Sequence, residues 1–294
     1  MRRCRLIKIR GNDMSQSGLR VTPYSSALGA LIEGIDLAKA VSDEEFSIIR
    51  QAFQDYGVIF FRNQDITPQQ HLDFARRWSP IDVNRFFKPV EDYPEIAQVL
   101  KEPDQRTNIG GDWHTDHSYD EEPAMGSMLL AREVPPRGGD TLFASMSMAY
   151  EALSPGLRVM LDGLRAVHSS AHVFGANAPY VKTSGARLAN PEAATQHVVH
   201  PVVIRHPQTG RRTLYVNRAF TLHFEGWTPA ESKPLLDYLY QHSVQPEFTC
   251  RFEWQKGSMA FWDNRATWHY ALNDYHGHRR LMHRITLKGS PLVA

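Results

Sequence analysis

The chain has 294 residues, 42% of them hydrophobic and 22% charged, which is enough to bury a sizeable core. Its 33 Lys and Arg stand against 32 Asp and Glu, a formal charge of +1, so no net field points to nucleic acid, an anionic membrane or an acidic partner. Two cysteines, Cys4 and Cys250, exclude a disulfide framework and a cysteine-rich zinc module, and they fit a reducing, cytoplasmic setting. The longest apolar run, Tyr56 to Phe61, falls far short of the ~18 residues of a spanning helix, and no signal-peptide core is visible.

Residues 1–13 carry Arg2, Arg3, Arg5, Lys8 and Arg10 and read as a flexible basic arm or a mis-assigned start ahead of Met14, a transit segment being the functional alternative. No repeat or Pro/Gly/Ser linker divides the rest, so residues 14–294 are expected to form one domain with an insertion. Ser42 and Glu45 make a capping-box pattern before Phe46, Ile49 and Phe53 at helical spacing, and Gly57 stops that run. "VIFFR" then reads as a buried strand. Thr67-Pro68 starts a second helix with Leu72, Ala75 and Trp78 inward and Ser79-Pro80 at its end. Thr228-Pro229 starts a third, in which Pro234 should break or kink the first turns.

From Asp112 onward the character is β-rich. "GSMLLA", "RTLYVN", "FTCRFEW", "GSMAFWD" and "RLMHRITLKG" are short runs separated by turn residues. The expected fold is mainly β with helices, an antiparallel sandwich or jelly roll.

The polar stretch "DWHTDHSYD" holds the densest chemistry. If "WHTDH" is extended, His114 and Asp116 share one face and His117 points away, while Asp112 and Asp120 read as ordinary loop carboxylates. A third ligand must come from afar. His168 and His172 lack the glutamate of a zinc-protease motif, and His197 and His200 sit beside β-branched residues as hydrogen-bonded core histidines would. His269 is the better candidate, with Trp262, Trp268 and Tyr270 placed to line a dry pocket around it. Two histidines and a carboxylate suit a non-haem iron(II) oxygenase, and they suit a zinc hydrolase equally well. Arg280 and Arg284, four apart on an expected strand, point to one face and suggest two anionic ligands, with surface ion pairing as the alternative. Thr141, after "RGGD", adds a hydroxyl on a glycine turn.

"WHTD", "RGGDT", "FWDNRATWHYALNDY" and "HRRLMHRITLKG", in this order, resemble the iron(II)/2-oxoglutarate dioxygenases of the taurine dioxygenase and aryloxyalkanoate dioxygenase family, from about Leu19 to about Gly289. The resemblance implies a double-stranded β-helix (jelly roll) with flanking helices, with iron(II) on His114, Asp116 and His269. It places the distal carboxylate of 2-oxoglutarate on Thr141 and Arg280, the substrate's anionic group on Arg284, and O2 as cosubstrate. Where taurine dioxygenases have a histidine and a tyrosine, this chain has Asn84 and Phe87, and Gly110-Gly111-Asp112 replace an asparagine-bearing stretch. These departures argue against taurine. Phe87, Tyr119 and Phe174 suit instead an apolar or aromatic body with one acidic group, such as an aryloxyalkanoate, another alkylsulfonate or an alkyl sulfate. The implied partner is thus a small anionic organic molecule, with a symmetric dimer or tetramer as the default assembly. A zinc-dependent hydrolase on the same ligands and a non-catalytic jelly-roll binding module are the alternatives that the residues leave open.

Overall fold

The structure, a computed structural model, describes residues 18–184 and 187–294; the basic stretch 1–13 lies outside them. Its largest sheet has nine strands. Eight follow the order Arg20–Pro23, Ala30–Glu33, Val58–Phe61, Met259–Asp263, Gly126–Glu133, Arg280–Leu287, Tyr93–Lys101 and Pro89–Val90. Ile81–Asp82 also pairs with Arg280–Leu287. Neighbours run antiparallel except Ala30–Glu33 on Val58–Phe61, and that parallel pair is joined by the helix Asp43–Tyr56, the crossover a parallel connection requires.

A three-stranded sheet, Thr249–Phe252, Thr141–Ser145 and Thr267–Ala271, packs against one face of the large one. Val58, Phe60, Leu129, Trp262 and Met282 meet Phe143, Cys250 and Phe252 between the sheets, with Phe60 stacked on Phe252 at 4.1 Å. The other face carries Ile59, Phe61, Phe261 and Ile285 beneath the helices Asp43–Tyr56 and Pro68–Arg76. This explains why "VIFF" is buried at every position: a sheet covered on both sides leaves no polar alternation. The arrangement is the expected jelly roll with flanking helices. Between Thr141–Ser145 and Thr249–Phe252 in the chain lie a further three-stranded sheet, the two-stranded pair Val203–Arg205/Arg212–Leu214 and the helix Pro229–Ser243. Among the described residues no helix is long and apolar enough to cross a membrane.

The capping box at Ser42 and the left-handed Gly57 bound the first helix as the sequence predicts. The second is capped by Thr67 and Gln70 but ends at Arg76, ahead of Ser79-Pro80. Trp78 lies beyond it, wedged among Phe46, Phe53 and Phe261 at ring separations of 5.0, 5.1 and 4.6 Å. The helix Pro229–Ser243 runs unbroken through Pro234, against the expectation of a break. Pro234 and Ala230, the residue whose carbonyl loses its amide partner, are both exposed, so water can satisfy that oxygen. The Thr228/Glu231 capping box holds the first turn.

Candidate active site

His114 and His269 are tied through their main chains. The His114 amide donates to the His269 carbonyl at 3.1 Å, and the His269 amide returns a bond to the His114 carbonyl at 2.8 Å. This bridge is isolated, so the "WHTDH" stretch is not the extended strand expected of it. A turn begins at Asp116, and His117 takes a left-handed φ of 59°. The turn, rather than a period of two, swings Asp116 under the histidines. Asp116 Oδ1 lies 3.8 Å from His114 Nε2, and Asp116 Oδ2 lies 3.9 Å from His269 Nε2. One donor atom from each residue falls within 4.8 Å of the others, a cluster that small inward rotations would close around one ion bonded at ~2.0–2.2 Å.

Hydrogen bonds orient the donors. His114 Nδ1 pairs with the Asp112 carbonyl at 2.7 Å, which places the proton there and leaves the Nε2 lone pair inward. The Ser127 hydroxyl donates to Asp116 Oδ2 at 2.8 Å, Asn264 Nδ2 donates to Ser127 Oγ at 3.2 Å, and Trp262 Nε1 donates to Asn264 Oδ1 at 2.9 Å. Burial alone would raise the Asp116 carboxyl, but Arg284, with Nη2 3.0 Å from Oδ1, and the two histidines outweigh it and hold the group well below the carboxylate range. Burial, aided by His114, lowers His269 and keeps it neutral, the form that can ligate a cation.

The ring of His269 packs on Trp262 at 4.6 Å and near Phe143 at 6.4 Å. Trp268 and Tyr270 do not line this pocket as expected. They alternate onto the opposite face of their strand, where Trp268 joins the cluster around Met146 and Leu239, and Tyr270 meets Trp113.

Arg280 and Arg284 project from one face of their strand, both buried. Arg280 Nε and Nη2 are buried and have no hydrogen-bond partner among the described residues. An unpaired buried guanidinium costs several kcal/mol and calls for an anion. Thr141 Oγ1 accepts from Trp254 Nε1 at 2.9 Å, and the Arg280 guanidinium lies 5.7 Å from the Trp254 ring, so Thr141, Trp254 and Arg280 form one group.

Phe87 lies 5.6 Å from the Arg284 guanidinium, and Tyr119, Phe174 and Phe87 share a cluster with Phe86 and Phe220. Phe220 reaches 6.4 Å from the His114 ring and 4.9 Å from Tyr119. Neither Phe86 nor Phe220 was singled out in the sequence, where a lone phenylalanine in a loop carries no pattern. Asn84 Oδ1 accepts from the amides of Phe86 and Phe87 at 2.9 and 3.0 Å and so shapes the loop beneath the pocket.

Asp120 is not an ordinary loop carboxylate. Arg85 donates to both of its oxygens at 2.6 Å, and His117 Nδ1 is 2.9 Å from Oδ2. With Asp82 and His117, Asp120 forms a second cluster, in which Arg85 pairs with Asp120. His168 contacts Ser118 and His172 bonds the Ala219 carbonyl, so that pair holds no metal together, and His200 is satisfied by the Asp120 carbonyl.

A jelly roll with this donor set beside two buried arginines fits the metal-dependent oxygenase class. The sequence profile described as "Taurine catabolism dioxygenase TauD, TfdA family" matches residues 20–286. A sulfate ester dioxygenase dependent on alpha-ketoglutarate (2-oxoglutarate) from Pseudomonas putida is 33% identical over 92% of this chain and 90% of its own. The 2,4-dichlorophenoxyacetate dioxygenase of Cupriavidus pinatubonensis is 32% identical over 92% and 98%. The crystal structure of a taurine dioxygenase from Burkholderia xenovorans superposes with a TM-score of 0.79, at 35% identity over 94% and 93%. The chain belongs to the TauD/TfdA family. It is therefore a 2-oxoglutarate-dependent dioxygenase, and neither a zinc hydrolase nor a non-catalytic module finds support in these likenesses.

Proposed function

We propose that the chain uses iron(II), held by His114, Asp116 and His269, to hydroxylate a small organic anion next to a heteroatom, with 2-oxoglutarate and O2 consumed and succinate and CO2 released. The observation that carries this reading is the pair of buried arginines on one sheet face, Arg284 beside Asp116 and Arg280 four residues before it on the same strand, with unpartnered nitrogens among the described residues.

Bound iron(II) and 2-oxoglutarate supply oxygen activation coupled to oxidative decarboxylation. The chain's own residues do the rest. Arg280 and Thr141 receive the oxoacid's distal carboxylate, by a guanidinium edge and a hydroxyl. Arg284 receives the substrate's acidic group, while Phe87, Tyr119, Phe174 and Phe220 exclude water and hold its apolar body; Asn84 fixes the loop that carries Phe87. Positioning decides which C–H is oxidised, because a misplacement of ~1 Å can cost ~100-fold in rate. If the oxidised carbon bears a sulfate or aryloxy group, the hydroxylated product expels it as sulfate or a phenol and becomes a carbonyl compound.

The substrate class we favour is an alkyl sulfate or aryloxyalkanoate, because an aromatic basket suits a larger body than taurine's. Oxygen uptake and succinate release across taurine, alkylsulfonates, alkyl sulfates and both enantiomers of aryloxypropionates test it. Coupled turnover with taurine alone would overturn the substrate assignment, and turnover independent of 2-oxoglutarate would overturn the whole reading. The unbridged, buried Cys250 fits action in the cytoplasm, and we take a symmetric homo-oligomer as its assembly.

A further inference from the structure

Lys101 ends the strand Tyr93–Lys101 and is 2% exposed. Its Nζ is buried without a hydrogen-bond partner among the described residues, and it rests 4.1 Å from the centroid of the Tyr275 ring. A lysine seldom gives up water unless something pairs with it. In the sheet register Lys101 stands directly opposite Arg280, so the two side chains leave the same face. They line one cavity together with Asn108 and Tyr275. Burial lowers the Lys101 ammonium, and the positive charge of Arg187 nearby lowers it further. Such a pocket is stable as a receptor for negative charge.

We propose that Lys101 is a second cation for the distal carboxylate of 2-oxoglutarate, acting beside Arg280; the proposal rests on the cosubstrate placement given above. Register decides between the two anions of the reaction. Arg284, the receptor assigned to the substrate, pairs with Ala97, four residues along the strand from Lys101 and roughly 13 Å away. A carboxylate offers about four lone-pair sites, so the edge of Arg280, the Thr141 hydroxyl and an ammonium can all bond to it. The lysine would then add a requirement for a charged far end on the oxoacid, in addition to the bidentate shape read by the arginine.

The test is calorimetric binding of 2-oxoglutarate and of oxalate to Mn(II)-loaded protein without oxygen, since oxalate can chelate the metal and has no distal carboxylate. Lys101→Met is expected to weaken 2-oxoglutarate by roughly 10- to 100-fold, the range of one charge-assisted hydrogen bond, and to leave oxalate nearly unchanged. Lys101→Arg should recover most of the affinity. Equal weakening of both ligands would mark a merely structural lysine and overturn the proposal, as would no weakening of either. Lys101→Gln serves in the same assay should the methionine variant fail to fold. Arg280→Leu separates the two levels. If it loses 2-oxoglutarate while Lys101→Met does not, the lysine assignment alone is wrong; if it too binds normally, the cosubstrate placement falls with it.

Discussion

His71 sits in the helix Pro68–Arg76 with 0% of its surface exposed and no partner for either ring nitrogen among the described residues. Burial first, then the charges of Arg132 and His283, push it down from 6.5 to about 3. A histidine depressed in the folded state stays neutral there while the unfolded chain takes up a proton, so stability rises with pH between those two values. The full difference, at about 1.36 kcal/mol per pH unit, is about 5 kcal/mol. At pH 5 the loss relative to pH 8 is about 2 kcal/mol from this residue. His71→Leu removes the titration and the unsatisfied N–H together. Urea unfolding of both proteins at pH 8 and pH 5 should show the wild type losing about 2 kcal/mol more than the variant on acidification. The variant should also be more stable at pH 8, by about 1–3 kcal/mol. Identical losses on acidification would refute the claim that His71 is a buried neutral group.

The other expectations concern the site. Ser127→Ala removes the hydrogen bond to Asp116 Oδ2 and should weaken metal affinity by about 10- to 100-fold in a metal titration, with the fold intact by circular dichroism. Arg280→Leu should raise KM for 2-oxoglutarate by about 100-fold or more in a succinate-release assay. Thermal unfolding of the ligand-free variant should show no loss of stability, because an unpaired buried cation has gone. Arg284→Leu should lower kcat/KM for anionic substrates by at least about 100-fold in oxygen uptake, while Phe220→Ala should change the preference among apolar bodies more than the overall rate.

Much of the site is legible in the sequence because its parts fall on patterned elements. Arg280 and Arg284 lie on a regular strand, where counting by two gives their common face, and the apolar runs "VIFF" and "MAFWD" announce the sheet that carries them. What escapes is set by irregular backbone. The turn at Asp116 brings a carboxylate to two histidines by a left-handed His117, which no periodicity predicts. Trp268 and Tyr270 are near His269 in sequence and behind it in space, because the strand Thr267–Ala271 alternates them onto its other face. Asp120 and Lys101 show the general difficulty: a charged residue looks solvated in one dimension, and only its distant neighbours, Arg85 in one case and Arg280 in the other, show otherwise.

The reciprocal amide bonds between His114 and His269 have a consequence for redesign. The spacing of these two donors is a property of the main chain, set by bonds that every non-proline residue can make. The side chains are therefore replaceable parts in a fixed socket. Exchanging an imidazole for a thiol or a carboxylate would alter which ion the socket prefers and leave the two Cα positions where they are, so this scaffold invites the installation of other metals by single substitutions.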